Sequence, residues 1–330
     1  MRLAKLVSAC AALAILGSTG LAGAQQQKLF VYTSMKESMI GRLHDAFVKK
    51  HPNVAMDYQS AGAGKLMAKI AAERESGKIL ADVLWTSEVP DFYQLKAEGL
   101  LLPYISPEMK TVMNPLPDHD GSFTAVRLGT LGIAYNTRFI KEAPKTWADL
   151  ETAPFRNGYG IANPALSGTS YMSVALLSQA FGWSYFERLR ANRAKMGKGS
   201  GQVVDDTASG DLLASLAVDY ITIDKMEKGA TLKLVFPPEM LVIPSPITIF
   251  KGTPNEAAAK AFIDFVLSAE GQAIIAAEGT LPVRPGIPVL EKFGLPTVEE
   301  AMKRSIKVDY LKLIAEKEAT IKKFADIFQK

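Results

Sequence analysis

Apolar positions along the chain recur at two spacings that take turns. Lys28 to Tyr32 reads as a strand, followed by the polar turn Thr33-Ser34-Met35-Lys36. From about Glu37 to His51, Met39, Ile40, Leu43, Phe47 and Val48 return every three or four residues, as one face of a helix does. Val54 to Tyr58 alternates like a strand and runs into Ser60-Ala61-Gly62-Ala63-Gly64-Lys65, after which Leu66 to Glu75 is helical. Ala81 to Trp85 is a third strand, ending in Thr86-Ser87-Glu88. Strand, loop and helix in repetition predict a parallel α/β sheet. The rhythm resumes with Gly160-Ile161-Ala162 and a helix from Thr169 to Phe181. Gln202 to Asp206 leads to another helix, Tyr220 to Ile223 is a short strand, Asn255 to Ala277 is helical, and Thr297 to Gln329 is a mostly helical tail. Two longer extended segments, Leu128 to Tyr135 and Ile243 to Phe250, bracket the middle third. Strands crossing twice between the same two halves predict two lobes joined by a double hinge. The expected division is 25–131 with 248–300 as one lobe, 132–247 as the other, and 301–330 as a helical segment packing on both. No repeat or flexible Pro/Gly linker separates them, so the lobes should be intimately joined.

Residues 1–24 read as a cleavable secretory signal. Arg2 and Lys5 form the charged start, Leu6 to Leu16 the apolar centre, and Ala22-Gly23-Ala24 an A-x-A cleavage site. The apolar run is too short for a membrane span once Gly17 to Gly20 interrupt it. Cys10 is the chain's one cysteine, so structural disulfides and multi-thiolate metal sites are excluded. A mature chain without thiols suits the oxidising periplasm, where the protein is expected as a monomer. Charge narrows the partners further: 38 basic against 34 acidic residues, with no basic block, speaks against nucleic acid.

No motif for covalent, zinc or phosphate-loop catalysis occurs, and Gly62-x-Gly64-Lys65 has the spacing of a plain turn rather than a phosphate loop. Asp205-Asp206, read as part of a strand, would point to opposite faces and share no site. What recurs is a small polar cluster between a strand end and a helix start: Thr33-Ser34, Thr86-Ser87, Ser167-Gly168-Thr169 and Thr207-Ala208-Ser209. In an open α/β sheet such ends converge on one crevice, where free N–H groups and hydroxyls receive anions. Each cluster alone would be an ordinary helix cap. Four together describe a receptor without catalytic residues, metal or cofactor. A secreted hydrolase would need a nucleophile–base pair, and none is visible.

Eight segments in order then resemble a known family. Phe30-Val31-Tyr32-Thr33-Ser34, Ala81-Asp82-Val83-Leu84-Trp85, Gly132-Ile133-Ala134-Tyr135-Asn136-Thr137 and Asn163-Pro164-Ala165-Leu166-Ser167-Gly168-Thr169 come first. Ile243-Pro244-Ser245-Pro246, Lys251-Gly252-Thr253-Pro254, Ser268-Ala269-Glu270-Gly271-Gln272 and Leu281-Pro282-Val283-Arg284 follow. Together they resemble the extracellular solute-binding proteins of ABC importers, in the branch that contains ferric-ion-binding proteins. The resemblance implies the type II two-lobed fold, a ligand held between the lobes, hinge closure, and delivery to an inner-membrane ABC permease. Relatives in that branch take ferric ion, sugar phosphates, phosphonates or thiamine.

Departures from the iron pattern shift the expectation toward an anion. Lys36 stands where the iron binders carry a histidine and Ser87 where they carry a glutamate, with Glu88 one residue away. Asp224-Lys225 follows the expected strand Tyr220 to Ile223, at the place of the tyrosine pair. Ferric ion is hard and needs anionic oxygen ligands, which a lysine repels. Ser167, Gly168 and Thr169 match the phosphate-holding part of the family's site, facing Thr33, Ser34 and Lys36 from the opposite lobe. Ser209 completes the recurring clusters. Arg127 is placed either to donate into the cleft or to remain a surface arginine. Asp224 would meet an ammonium or sugar hydroxyl of the ligand, or else cap a helix or pair with Lys225 or Lys228. A small phosphate- or phosphonate-bearing solute is the expected ligand, with a ferric carrier as the alternative.

Overall fold

The structure, a computed structural model, describes residues 26–117 and 120–329. The signal segment and Cys10 lie outside the described residues.

The chain begins as expected: β1 (Gln27–Thr33), α1 (Glu37–Lys50), β2 (Val54–Ser60), α2 (Ala63–Glu75), β3 (Val83–Trp85), α3 (Val89–Ala97) and the short β4 (Leu101–Leu102). The long strand β5 (Thr124–Asn136) then leads to β6 (Tyr159–Ala162), α4 (Gly168–Phe181), α5 (Trp183–Ala191), β7 (Lys195–Gly197), α6 (Ser200–Ser209), β8 (Ala214–Val218), α7 (Asp219–Glu227) and β9 (Leu232–Val235). A second long strand, β10 (Leu241–Phe250), returns to α8 (Glu256–Leu267), α9 (Ala269–Ala277), β11 (Leu281–Pro282), α10 (Val298–Arg304) and α11 (Tyr310–Phe328).

One sheet runs through both lobes in the order β2-β1-β3-β10-β5-β8-β6-β7. The first three strands are parallel to each other, as are β8, β6 and β7 at the other end. Between them β5 and β10 pair antiparallel, and every residue of both is buried. A register shift between Ser245 and Pro246 marks where β10 moves from β5 toward β3. Pro244 and Pro246 have no N–H to donate to the ladder at the crossing.

Two expected strands are helical. Tyr220 to Ile223 belongs to α7, and Gln202 to Asp206 to α6. The β-branched runs Ile221-Thr222-Ile223 and Val203-Val204 carry strand propensity, but each packs as a buried helix face. Thr222 Oγ1 donates to the Val218 carbonyl one turn back, which suits a helix and no strand. The strand itself is Ala214-Ser215-Leu216-Ala217-Val218, whose small residues weakened its signal. Asp205 and Asp206 therefore lie on a helix; Asp205 pairs with Lys225 at 2.5 Å. The predicted helix from Asn255 to Ala277 is broken at Ser268, whose hydroxyl caps α9.

The tail packs on both lobes. Helix α11 touches α3 on one side and α4 and α5 on the other. Lys317 reaches 2.5 Å from both Glu88 and Asp91, and Tyr171 donates to the Leu313 carbonyl at 2.6 Å. One ammonium cannot neutralise two buried carboxylates. Desolvation and the Asp91 charge accordingly push Glu88 up to about 7, against the pull of Lys317. A carboxyl raised in the folded state costs nothing below its unfolded value near 4.5 and costs progressively more as pH rises toward 7. Wild-type melting temperature should thus fall across that window, and Glu88→Gln should flatten the fall. Calorimetric melts of both proteins at pH 4.5–7.5 check this; parallel curves would refute it.

Candidate functional site

A cavity of about 270 Å³ lies where the two ends of the sheet face each other. Ser34 and Lys36 line it from the β1–α1 turn, Ser60 to Ala63 from the β2–α2 turn, and Ser87 from the end of β3. From the opposite lobe come Leu166 to Thr169, Gly199 to Gly201, and Val218, Tyr220 and Ile221.

Helices α2, α4 and α6 all begin at the cavity and carry no acidic residue in their first turns. Helices α1 and α7, which also begin at the cavity, do carry one, Glu37 and Asp219. Gly62 and Gly199, the residues before α2 and α6, supply no side-chain cap. At the start of α2 the Lys65 N–H already donates to the Gly62 carbonyl, so the N–H groups without a capping side chain are those of Ala63 and Gly64 there and of Ser200 and Gly201 at α6. Across the starts of α4 and α6, Ser167, Thr169 and Ser200 form a ring of mutual hydroxyl hydrogen bonds at 2.8–3.1 Å. Hydroxyl hydrogens rotate, so this ring can turn its donors toward an anion. No carboxylate lines the cavity among the described residues.

Lys36 brings the cationic contribution. Its ammonium is 3.7 Å from Asp224 of α7, which also holds Lys228 at 2.7 Å. Partial burial lowers the Lys36 pKa, and Asp224 opposes that shift. Asp224 in turn is held below the usual carboxylate value by the Lys228 hydrogen bond and the Lys36 charge, which outweigh its desolvation.

Of the residues expected at the site, Ser34, Lys36, Ser87, Ser167, Gly168 and Thr169 line one cavity. The remaining four do not. Thr33 is buried beneath it, and its hydroxyl accepts from Met35 N–H at 3.0 Å to shape the turn. Ser209 sits at the far, exposed end of α6, bonded to the Asp206 carbonyl and Asp211, because α6 starts at Ser200, ahead of Asp206 rather than after it. Asp224 is on a helix, not at a strand end, and stands behind Lys36. Arg127 is neither in the cleft nor on the surface. It is 1% exposed and lies one layer below, donating to Ser87 at 3.1 Å, to Thr280 at 2.8 Å and to the Met35 sulfur, and facing Asp219 at 3.8 Å.

The strand expected at Tyr220 to Ile223 lies earlier and ends at Val218. The residues that follow it are Asp219, Tyr220 and Ile221, and Tyr220 lines the cavity. Tyr220 is buried, the Arg127 guanidinium lies 4.8 Å from its ring centre, and the Lys36 N–H meets its hydroxyl. Burial raises its pKa, and Arg127 opposes this. Ser60, Ser200 and the glycines beside them were not expected. Gly199-Ser200-Gly201 ahead of Val203-Val204 repeats the small-polar helix start, and reading α6 as a strand concealed it.

Two lobes on one sheet with a small polar cavity between them are the arrangement of a solute-binding protein. The model for bacterial extracellular solute-binding proteins matches residues 78–313, and the chain belongs to that family. A provisionally named 2-aminoethylphosphonate-binding periplasmic protein of Salmonella typhimurium is 27% identical over 239 residues, covering 69% of this chain and 68% of that one. An uncharacterised protein of Haemophilus influenzae is 29% identical over 285 residues, covering 82% and 80%. Among solved structures, the periplasmic binding protein AfuA of Actinobacillus pleuropneumoniae, with fructose-6-phosphate bound, superposes with a TM-score of 0.77 at 26% identity, covering 92% and 98%. Iron-bound HitA of Pseudomonas aeruginosa superposes at 0.76 with 21% identity, covering 91% and 99%, a likeness of fold.

Removing Arg127 tests what holds the cavity floor. Arg127→Met leaves Asp219 buried without its counter-charge and removes the donor to Thr280, so it should destabilise the fold by about 3–5 kcal/mol. Urea unfolding checks this; a loss under 1 kcal/mol would show that the pair is not needed.

Proposed function

We propose that the protein is a periplasmic receptor that captures a small phosphate- or phosphonate-bearing solute and passes it to an inner-membrane ABC permease. The observation that carries this reading is the convergence of three acid-free helix starts, six Ser/Thr hydroxyls and Lys36 on a cavity without a carboxylate. An oxyanion there accepts from both lobes at once, so its binding favours the closed arrangement. The relatives named for 2-aminoethylphosphonate and crystallised with fructose-6-phosphate support the same chemistry.

A ferric reading has less support. The cavity holds one tyrosine, whose ionisation burial opposes, and among the described residues no group of three or more His, Cys, Asp or Glu side chains is placed for a metal.

A thermal-shift screen of inorganic phosphate, 2-aminoethylphosphonate, fructose 6-phosphate and ferric citrate tests the reading. At 100 times its dissociation constant a ligand stabilises the fold by about 2.7 kcal/mol. At least one phosphorylated or phosphonate solute should do so, and ferric citrate should produce neither a shift nor a visible charge-transfer band. Stabilisation by ferric ion alone would overturn the proposal. For a solute that binds, Lys36→Met should weaken affinity by about 1.5–3 kcal/mol, the range of a hydrogen bond to a charged group. Calorimetric titration reads that loss directly, and an unchanged affinity would remove Lys36 from the site.

A further inference from the structure

The turn Ala61-Gly62-Ala63-Gly64 is needed neither for a phosphate loop nor for its own backbone. Gly62 has φ −58° and ψ 143°, a conformation open to any residue, and Gly64 lies in the first turn of α2, where alanine is the better helix former. Nothing within the lobe asks for glycine at either place. The opposite lobe does. A Cβ on Gly62 would sit 2.5 Å from the Leu166 carbonyl oxygen, and one on Gly64 would come closer still to the Ala165 carbonyl oxygen. Both obstacles are backbone, in the loop ahead of α4, and cannot turn aside as a side chain would. Gly168, on the same loop, meets lobe one in the same way: its Cβ would fall 2.7 Å from Glu88 Cβ and 3.2 Å from Ala63 Cβ.

We propose that Gly62 and Gly64 are positioning residues that set how far the two lobes close. With hydrogen in place of a side chain, the first turn of α2 seats on the carbonyls of Ala165 and Leu166. That seat brings the hydroxyls of Ser167 and Thr169 into one cavity with Ser34 and Lys36. The Lys36–Asp224 pair crosses the same gap and depends on the same approach. A methyl at either glycine holds the lobes apart by the depth of the overlap and leaves each lobe's interior untouched. The proposal rests on the two-lobed cleft described above and not on the identity of the solute.

Distance measurement between spin labels tests it in the full chain carrying Cys10→Ser, with labels on cysteines introduced at the exposed Lys49 of α1 and Glu187 of α5. Wild type, Gly62→Ala and Gly64→Ala are compared in phosphate-free buffer and in buffer saturated with inorganic phosphate. The expected result is a closed-distance population in wild type that falls at least tenfold in both variants, while the Gly64→Ala melting temperature stays level or rises. Superimposable distributions for wild type and variants in both buffers would overturn the proposal. So would a Gly64→Ala chain that melts below wild type, since the clash would then lie inside one lobe. The phosphate reading is judged separately, by whether phosphate shifts the wild-type distribution alone.

Discussion

A buried arginine holds the centre of this molecule. Arg127 stands on β5 just before that strand passes from one lobe to the other, and its partners come from both sides. Ser87 follows β3, Thr280 precedes β11, and Asp219 begins α7 directly after β8. Asp219 in turn accepts from the Thr130 N–H and hydroxyl, from Thr280 and from the Tyr220 N–H, at 2.7–3.0 Å. A buried ion pair is stable only when its remaining lone pairs and protons are satisfied, and here the satisfaction is shared across the two lobes. The geometry of the cavity follows, because Ser87 and Tyr220 are its floor and both are fixed by contact with the guanidinium. Specific hydrogen bonding, not apolar packing, decides where the two halves of the floor meet.

Three elements then span both lobes. Strands β5 and β10 do so covalently, and α11 does so by packing, with Lys317 drawn to Glu88 and Asp91 on one side and Phe324 set edge-on to Phe186 on the other. The prolines of β10 have no N–H to donate to the ladder at the crossing, while the Arg127 cluster ties it nearby. A joint with those donors missing and one well-satisfied polar knot can bend without unravelling, as a hinge between lobes requires. The tail limits that bending, since its two sets of contacts lie on different lobes.

Legibility in the sequence followed local pattern closely. The alternation in β1 and β2, the amphipathic face of α1, and the long extended runs of β5 and β10 were readable, because their periodicity is set by the core they cover. The family resemblance and the cleft clusters at Ser34, Ser87 and Ser167 to Thr169 were readable for the same reason. Ile221-Thr222-Ile223 and Val203-Val204 were not, since a helix buried on that face accepts β-branched residues that a propensity argument assigns to a strand. Those two misreadings carried Ser209 and Asp224 to the wrong places and hid Ser200. Arg127 defeated the reading differently. Whether an arginine is exposed, in a cleft or beneath one depends on Asp219, 92 residues away, and no local pattern encodes that distance.

The cleft's charges are nearly all answered before a ligand arrives. Arg127, beneath the cleft, faces Asp219; Lys36, which lines it, faces Asp224, and Asp224 also holds Lys228. What remains unanswered is dipolar: the open N–H groups at the starts of α2 and α6 and the rotating hydroxyls around Ser167. N–H dipoles fixed by the fold would attract an anion at short range without reorganising, and the hydroxyls need only turn their hydrogens, whereas free surface cations would attract any anion at long range and be screened by salt. A site built this way discriminates by shape and by the number of acceptor oxygens it can satisfy. Its hydroxyls are drawn from both lobes, so a ligand that needs the full set would favour their approach. Opening divides the donors between two surfaces, neither of which keeps the full set, and a carrier that must hold a solute and then surrender it needs that asymmetry between states.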